Sequence, residues 1–272
     1  MFGDARERLK EIQSNFVSLT VTSPPYWYLE RFTTEKEDVF KGDLSRIKDR
    51  RTFFVELGKV WKQVYRVTKN GGYLAVEWED IPIGSKIYGY PREICICGDM
   101  VESVESAGFY LVGRWIWKKF EAGASLEKFQ YVLYSNLSRN IPRPCSNWAY
   151  VFVFRKMGVE KTRILDFTKD EWKEWADGVW RIENPSVDAH GIEGGAVFPV
   201  ELVKRLIKIY TRPYQVVLDP FLGTGTTMKA AFLTNRSCIG VEVNLKMRDI
   251  IKRKVGWNQS AIDGGEIVWE EK

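Results

Sequence analysis

The chain has 272 residues, 44% of them apolar, 28% charged and 14% aromatic. This composition excludes collagen-like, low-complexity and disordered classes, and the length suits one large α/β domain or two small ones. Lys and Arg number 41 against 36 Asp and Glu, a net charge of +5 that mildly favours an anionic partner. No apolar run approaches the ~18 residues that span a bilayer, and the first segment is charged from Asp4 onward. The expectation is a chain without a membrane span or signal peptide, working in the cytoplasm. Cys95, Cys97, Cys145 and Cys238 are too scattered for a disulfide scaffold. The single histidine, His190, and the one-residue spacing of Cys95 and Cys97 do not form a zinc pattern, so no metal site is expected.

In chain order, a helical pattern over 6–13 precedes an apolar strand run, Phe16–Val21. That strand leads into Thr22-Ser23-Pro24-Pro25-Tyr26-Trp27. The two prolines stiffen the turn and remove two amide donors, which leaves the carbonyls of Ser23 and Pro24 as fixed acceptors. Acceptors are what an exocyclic amino group needs, and Tyr26 offers a flat face for an unstacked base. Taken alone, the same string also reads as a rigid strand-end turn. A charged excursion over 28–51 follows, with Arg46, Lys48, Arg50 and Arg51 placed for phosphate or solvent.

A helix is predicted over 53–67, with Gly71-Gly72 as its stop and the start of a strand over 72–78. A helix over 92–107 and a strand over 110–117 come next. The excursion 120–147 carries Gln130, Arg139 and Arg143, residue types that read base edges. A strand over 148–154 is followed by a second excursion, 157–196. The remainder alternates again: helix 200–210, strand 215–218, helix 226–233, strand 237–241 and helix 246–254. The terminal run Gly265–Glu270 reads as a strand next to strand 237–241 in the sheet. Such alternation predicts βαβ units and a mainly parallel sheet with helices on both faces.

Between strand 215–218 and helix 226–233 stands Asp219-Pro220-Phe221-Leu222-Gly223-Thr224-Gly225-Thr226-Thr227. Gly223 and Gly225 permit a sharp turn and a close ligand approach. Thr226 or Thr227 is expected to cap the helix, and Asp219 lies at the strand's carboxyl end, where open α/β sheets bind ligands. Glu242 follows 23 positions after Asp219 (242 − 219), close to the ~20 expected of an acid that holds a ribose diol. A bare Gly-x-Gly also reads as a structural turn. Met228 stands where a nicotinamide-dinucleotide loop needs its third glycine.

The Asp-Pro-Phe-x-Gly-x-Gly-Thr-Thr string with its spaced Glu resembles the S-adenosylmethionine loop of the DNA amino-methyltransferases. Thr-Ser-Pro-Pro-Tyr resembles the catalytic motif of the same family in its serine form. In that family, serine usually accompanies cytosine N4 methylation and aspartate adenine N6 methylation. The segments at Val179 and Phe198, and the Gly3-Asp4 pair, match other parts of the family more loosely. The resemblance implies a single catalytic domain over 1–272 with a Rossmann-like methyltransferase fold. Its motifs are circularly permuted, the catalytic turn preceding the cofactor loop, and 120–147 and 157–196 are candidate target-recognition insertions.

The resemblance also implies site-specific methylation of double-stranded DNA by direct transfer to a flipped cytosine, with adenine as the alternative base. A cognate restriction endonuclease is an implied functional partner. Ser23, Pro24, Pro25 and Tyr26 would be catalytic. Asp4, Phe198, Asp219, Pro220, Phe221, Gly223, Thr224, Gly225, Thr226, Thr227 and Glu242 would bind the cofactor. Trp27, Gln130, Arg139 and Arg143 would meet the DNA. Pro144-Cys145 resembles the nucleophile of C5-cytosine methyltransferases, but Ser23-Pro24-Pro25-Tyr26 occupies the place that chemistry needs. An oxidoreductase and a non-catalytic nucleic-acid binder remain the competing classes.

Overall fold

The computed structural model describes residues 1–27, 41–83, 89–90, 92–119, 147–159, 166–183 and 198–256. Nine strands fall within them: β1 (Val17–Thr22), β2 (Thr68–Trp78), β3 (Ile81–Ile83), β4 (Arg92–Ile94), β5 (Tyr110–Lys118), β6 (Trp148–Arg155), β7 (Val179–Arg181), β8 (Val216–Asp219) and β9 (Ser237–Gly240). Seven form one sheet in the order β7-β5-β6-β2-β1-β8-β9, and β3 pairs with β4 apart from it. β6 runs antiparallel to both of its neighbours, and every other adjacent pair in the main sheet is parallel. All six residues of β1 are buried, as a central parallel strand covered on both faces requires.

Helices supply the two covers. α1 (Ala5–Arg8), α2 (Arg50–Val67) and α3 (Cys97–Glu105) are followed by α4 (Lys169–Trp175), α5 (Val200–Tyr210), α6 (Thr226–Leu233) and α7 (Arg248–Val255). Asp49 starts α2 by accepting from the Thr52 amide at 2.7 Å. Phe53, Leu57, Val60, Trp61, Val64 and Val67 then fall on one stripe, which packs with Leu74, Val76 and Trp78 of β2. On the other side of the sheet, Leu202, Val203, Leu206 and Ile207 of α5 pack with Leu19, Val21 and Val217. Among the described residues, no helix is long and apolar enough to cross a membrane.

The chain's two halves meet at one seam. β1 carries the Ser-Pro-Pro-Tyr turn and β8 carries the glycine loop, and they pair in parallel through Leu19↔Val217 and Thr20↔Leu218. The first residues add a bridge at the far side: Phe2 pairs with Glu242, Gly3 N–H donates to the Glu242 carbonyl at 2.8 Å, and the Met1 amino group donates to Gly240 O. The 265–270 strand expected near here lies outside the described residues.

Several local expectations need correction. α2 stops at Val67, where the Thr68 hydroxyl donates to Val64 O, so the strand begins before Gly71-Gly72 rather than after it. Gly71 takes φ +78°, and a Cβ on Gly72 would lie 3.0 Å from the Ser18 carbonyl, so the pair serves a bend within β2. The helix read over 92–107 splits. Arg92–Ile94 is strand β4, and the helix starts only at Cys97, because Asp80 Oδ1 accepts from the Ile96 and Cys97 amides at 2.7 and 3.0 Å. Within the candidate recognition segment 157–196, residues 169–181 build α4 and β7, the edge strand of the main sheet.

Candidate active site and cofactor loop

Both motifs sit at the carboxyl ends of adjacent parallel strands, the edge at which open α/β sheets bind ligands. Ser23 follows β1 directly. Its hydroxyl donates to Glu77 Oε2 at 2.7 Å, and the Tyr26 hydroxyl donates to the same atom at 3.3 Å. Glu77 lies on β2, is 6% exposed, and joins the turn although nothing in the sequence reading placed it there. The available signal was a carboxylate inside the apolar run Leu74-Ala-Val-Glu-Trp78. Burial holds the Glu77 carboxyl above the usual range, against the pull of Lys119. Lys119 itself pairs with Glu79 at 2.8 Å.

Tyr26 differs from the open platform expected of it. It is buried, its ring stacks on Trp78 with centroids 4.7 Å apart and planes at 13°, and burial with the nearby Glu77 charge holds its phenol well above its ordinary value. One face is therefore covered by Trp78, and the ring belongs to the core cluster rather than standing free. Trp27 is fixed from behind, its indole N–H donating to the Lys48 carbonyl at 3.0 Å. Pro24 is buried and Pro25 partly so. Arg50, still partly exposed, forms an ion pair with Asp99 of α3.

The glycine loop has the left-handed backbone that its composition implies: φ is +53° at Gly223 and +90° at Gly225. Nothing lies within 4 Å of a Cβ built on Gly223, so backbone faces open space there. Gly223 N–H donates to Glu242 Oε2 at 2.7 Å, and Asn244 N–H donates to Oε1 at 2.8 Å. Burial pushes the Glu242 carboxyl up to about 7. Phe221 meets Trp61 edge-on, with centroids 6.4 Å apart. Leu222 closes over Gly240 so tightly that no room remains there for a Cβ.

Other assignments move. Asp219 is 1% exposed and turned inward: its carboxylate accepts from Thr22 Oγ1, Thr227 Oγ1 and the Phe221 amide at 2.7, 2.6 and 3.0 Å. These partners are all protein groups, and the carboxylate lies beneath the loop rather than at its surface. Burial raises it to about 6. Gly225 is the N-cap of α6, and neither threonine hydroxyl caps the helix. Thr227 donates to Asp219, whereas Lys254 Nζ donates to the hydroxyls of Thr224 and Thr226 at 2.7 and 2.8 Å.

Asp4 caps α1 by accepting from Arg6 N at 2.9 Å and pairs with the Arg6 guanidinium, which also reaches Glu56. Its backbone enters beside Glu242 through Gly3. Phe198 is 8% exposed and packs with the α5 core. Pro220 is buried in the loop. Gln130, Arg139, Arg143, Cys145 and His190 lie outside the described residues. Among the described residues, no three His, Cys, Asp or Glu side chains group as metal ligands.

A glycine loop with an acid beyond the next strand, set beside a Ser-Pro-Pro-Tyr turn on a sheet of this order, defines the S-adenosylmethionine-dependent methyltransferase class. The chain belongs to the N6/N4 DNA methylase family, whose model matches residues 17–253. The type II methyltransferase M.MjaI of Methanocaldococcus jannaschii is 30% identical, over 96% of this chain and 92% of that one. M.MthZI of Methanothermobacter thermautotrophicus is 27% identical, over 96% and 76%. A candidate DNA modification methylase from Thermus thermophilus, solved with S-adenosyl-L-methionine, superposes with a TM-score of 0.70 at 27% identity, over 94% of this chain and 92% of that one. The cytosine-N4-specific PvuII DNA methyltransferase gives 0.66 at 19% identity, over 94% and 91%, a likeness of fold. The protein is thus an S-adenosylmethionine-dependent DNA methyltransferase of the amino-methylating kind.

Proposed function

We propose that the protein methylates the exocyclic N4 amino group of cytosine at a specific site in double-stranded DNA, as the modification half of a type II restriction-modification pair. The observation that carries this reading is the 2.7 Å hydrogen bond from Ser23 to buried Glu77. With its proton committed to Glu77, the Ser23 oxygen turns its lone pairs outward and can only accept. The proline pair removes competing amide donors from the same turn. Two acceptors at one corner suit an –NH2 group and draw its lone pair out of conjugation with the ring.

When bound, S-adenosylmethionine supplies an electrophilic methyl group on a positive sulfonium. Gly223 and Glu242 suit its nucleoside end, because backbone faces open space beside a half-buried carboxylate. The chain's own task is then to position the amino group and to take away one proton. Ser23 receives that proton from the amino nitrogen while its own passes to Glu77, whose raised affinity for protons fits the role. Tyr26, locked against Trp78 and beside Glu77, makes the turn a rigid wall against which the flipped base is positioned. The serine form of the turn favours cytosine over adenine by resemblance to the family, and the M.MjaI and M.MthZI names favour the type II setting.

The test is transfer of a tritiated methyl group from S-adenosylmethionine to unmodified duplex DNA. Label is expected in DNA with wild-type protein, and Ser23→Ala should slow single-turnover transfer at least 100-fold while binding DNA within about threefold. Folded wild-type protein that binds S-adenosylmethionine but labels no DNA would overturn the proposal.

A further inference from the structure

The catalytic turn and the cofactor loop hang from different strands, yet a methyl group must pass between what they hold. The main-chain register joining β1 and β8 ends at Thr20↔Leu218. Beyond it no further strand pair joins the two, Thr22 leading into Ser23 and Asp219 into the glycine loop. A side-chain link spans the gap: Thr22 Oγ1 donates to Asp219 Oδ1 at 2.7 Å, across 197 residues of sequence. The same carboxylate is bound on its other oxygen by Thr227 of the first turn of α6, and it takes the Phe221 amide of the loop itself. Thr22 and Thr227 are fully buried and Asp219 nearly so.

We propose that Asp219 is a positioning residue that couples the cofactor loop to the catalytic turn through Thr22, and so sets the approach of the amino group to the methyl group. The proposal rests on the methyltransferase reading above. Asp219 is almost wholly buried, so it acts on the site through the protein groups it holds, and its position at the seam is where a small shift matters. Displacing reacting groups by about 1 Å can cost about 100-fold in rate while each ligand still binds its own half of the site. Other candidates carry less. Lys156 is held by the Asn15 side chain and by the Tyr65 and Thr68 carbonyls at the opposite end of the sheet, and Arg236 is engaged with Thr211, Thr234 and Asp166.

The experiment compares Thr22→Val, Thr22→Ser, Thr227→Val and the Thr22→Val/Thr227→Val pair. Each is measured for S-adenosylmethionine affinity by calorimetry, duplex DNA affinity, and single-turnover transfer at saturating concentrations of both. Thr22→Val should lose at least tenfold in transfer with both affinities within about twofold, and Thr22→Ser, which keeps the hydroxyl, should recover most of the rate. Because both threonines act through one carboxylate, the pair should be little slower than the slower single variant. Wild-type rates in Thr22→Val would overturn the coupling, as would affinities that fall in step with the rate. If Thr22→Val does not fold, the Thr22→Ser and Thr227→Val measurements still decide: a serine variant as slow as Thr227→Val contradicts the proposal. No transfer by wild-type protein refutes the enzyme reading itself, whereas normal transfer in the variants refutes only the coupling.

Discussion

Glu77 and Glu242 are both carboxylates lifted by burial, and they answer to different steps. Glu242 stands near 7 in the free protein, and hydroxyl donors from a bound ribose favour its ionised form. Binding below that value therefore expels a proton, so S-adenosylmethionine affinity should rise with pH from about 6 to 8 and then level off. Calorimetry on Glu242→Gln should show a flatter profile, and Glu242→Ala should lose ~1.5–3 kcal/mol, roughly tenfold or more in Kd. A pH-independent wild-type affinity would contradict the assignment. Glu77 belongs to transfer. Glu77→Gln keeps an acceptor for Ser23 but no base, so transfer should slow about 100-fold with cofactor affinity unchanged. Wild-type transfer should climb with pH through the acid range as Glu77 ionises, and the variant should lack that limb.

At the level of elements, the glycine loop depends on two left-handed residues. Gly225→Ala must hold φ +90° with a Cβ 3.2 Å from Ile251 of α7. The strain costs about 1–2 kcal/mol, seen as a Tm lower by a few degrees. An unchanged Tm would mean that the loop had re-formed without it. This loop was legible in sequence because glycines at fixed offsets carry local information, and helices 200–210 and 226–233 agree with it residue for residue. What escaped depends on partners far away in the chain. Asp80 decides where α3 starts from 16 residues upstream, Glu77 meets Ser23 across 54 residues, and Asp219 turns inward because Thr22 arrives from the opposite half. The short strand β7 lacks the length of a periodic signal and is specified by pairing to Ile116–Lys118 of β5.

For the whole molecule, permuted motif order is compatible with the fold because β1 and β8 are neighbours in space, whichever is made first. The sheet then presents cofactor loop and catalytic turn on one rim. The excess of positive charge predicts that duplex DNA binding weakens with salt, with a log–log slope of about −0.9 per phosphate neutralised. A slope near zero in a titration from low to physiological salt would show that the +5 balance is incidental to DNA binding. The central claim is that the amino group held at Ser23 and Glu77 is that of cytosine. Enzymatic digestion of DNA methylated by the wild-type protein, followed by mass spectrometry of the nucleosides, tests it most directly. N4-methylcytosine is the predicted product; N6-methyladenine would contradict the choice of base, and 5-methylcytosine would contradict the mechanism as well.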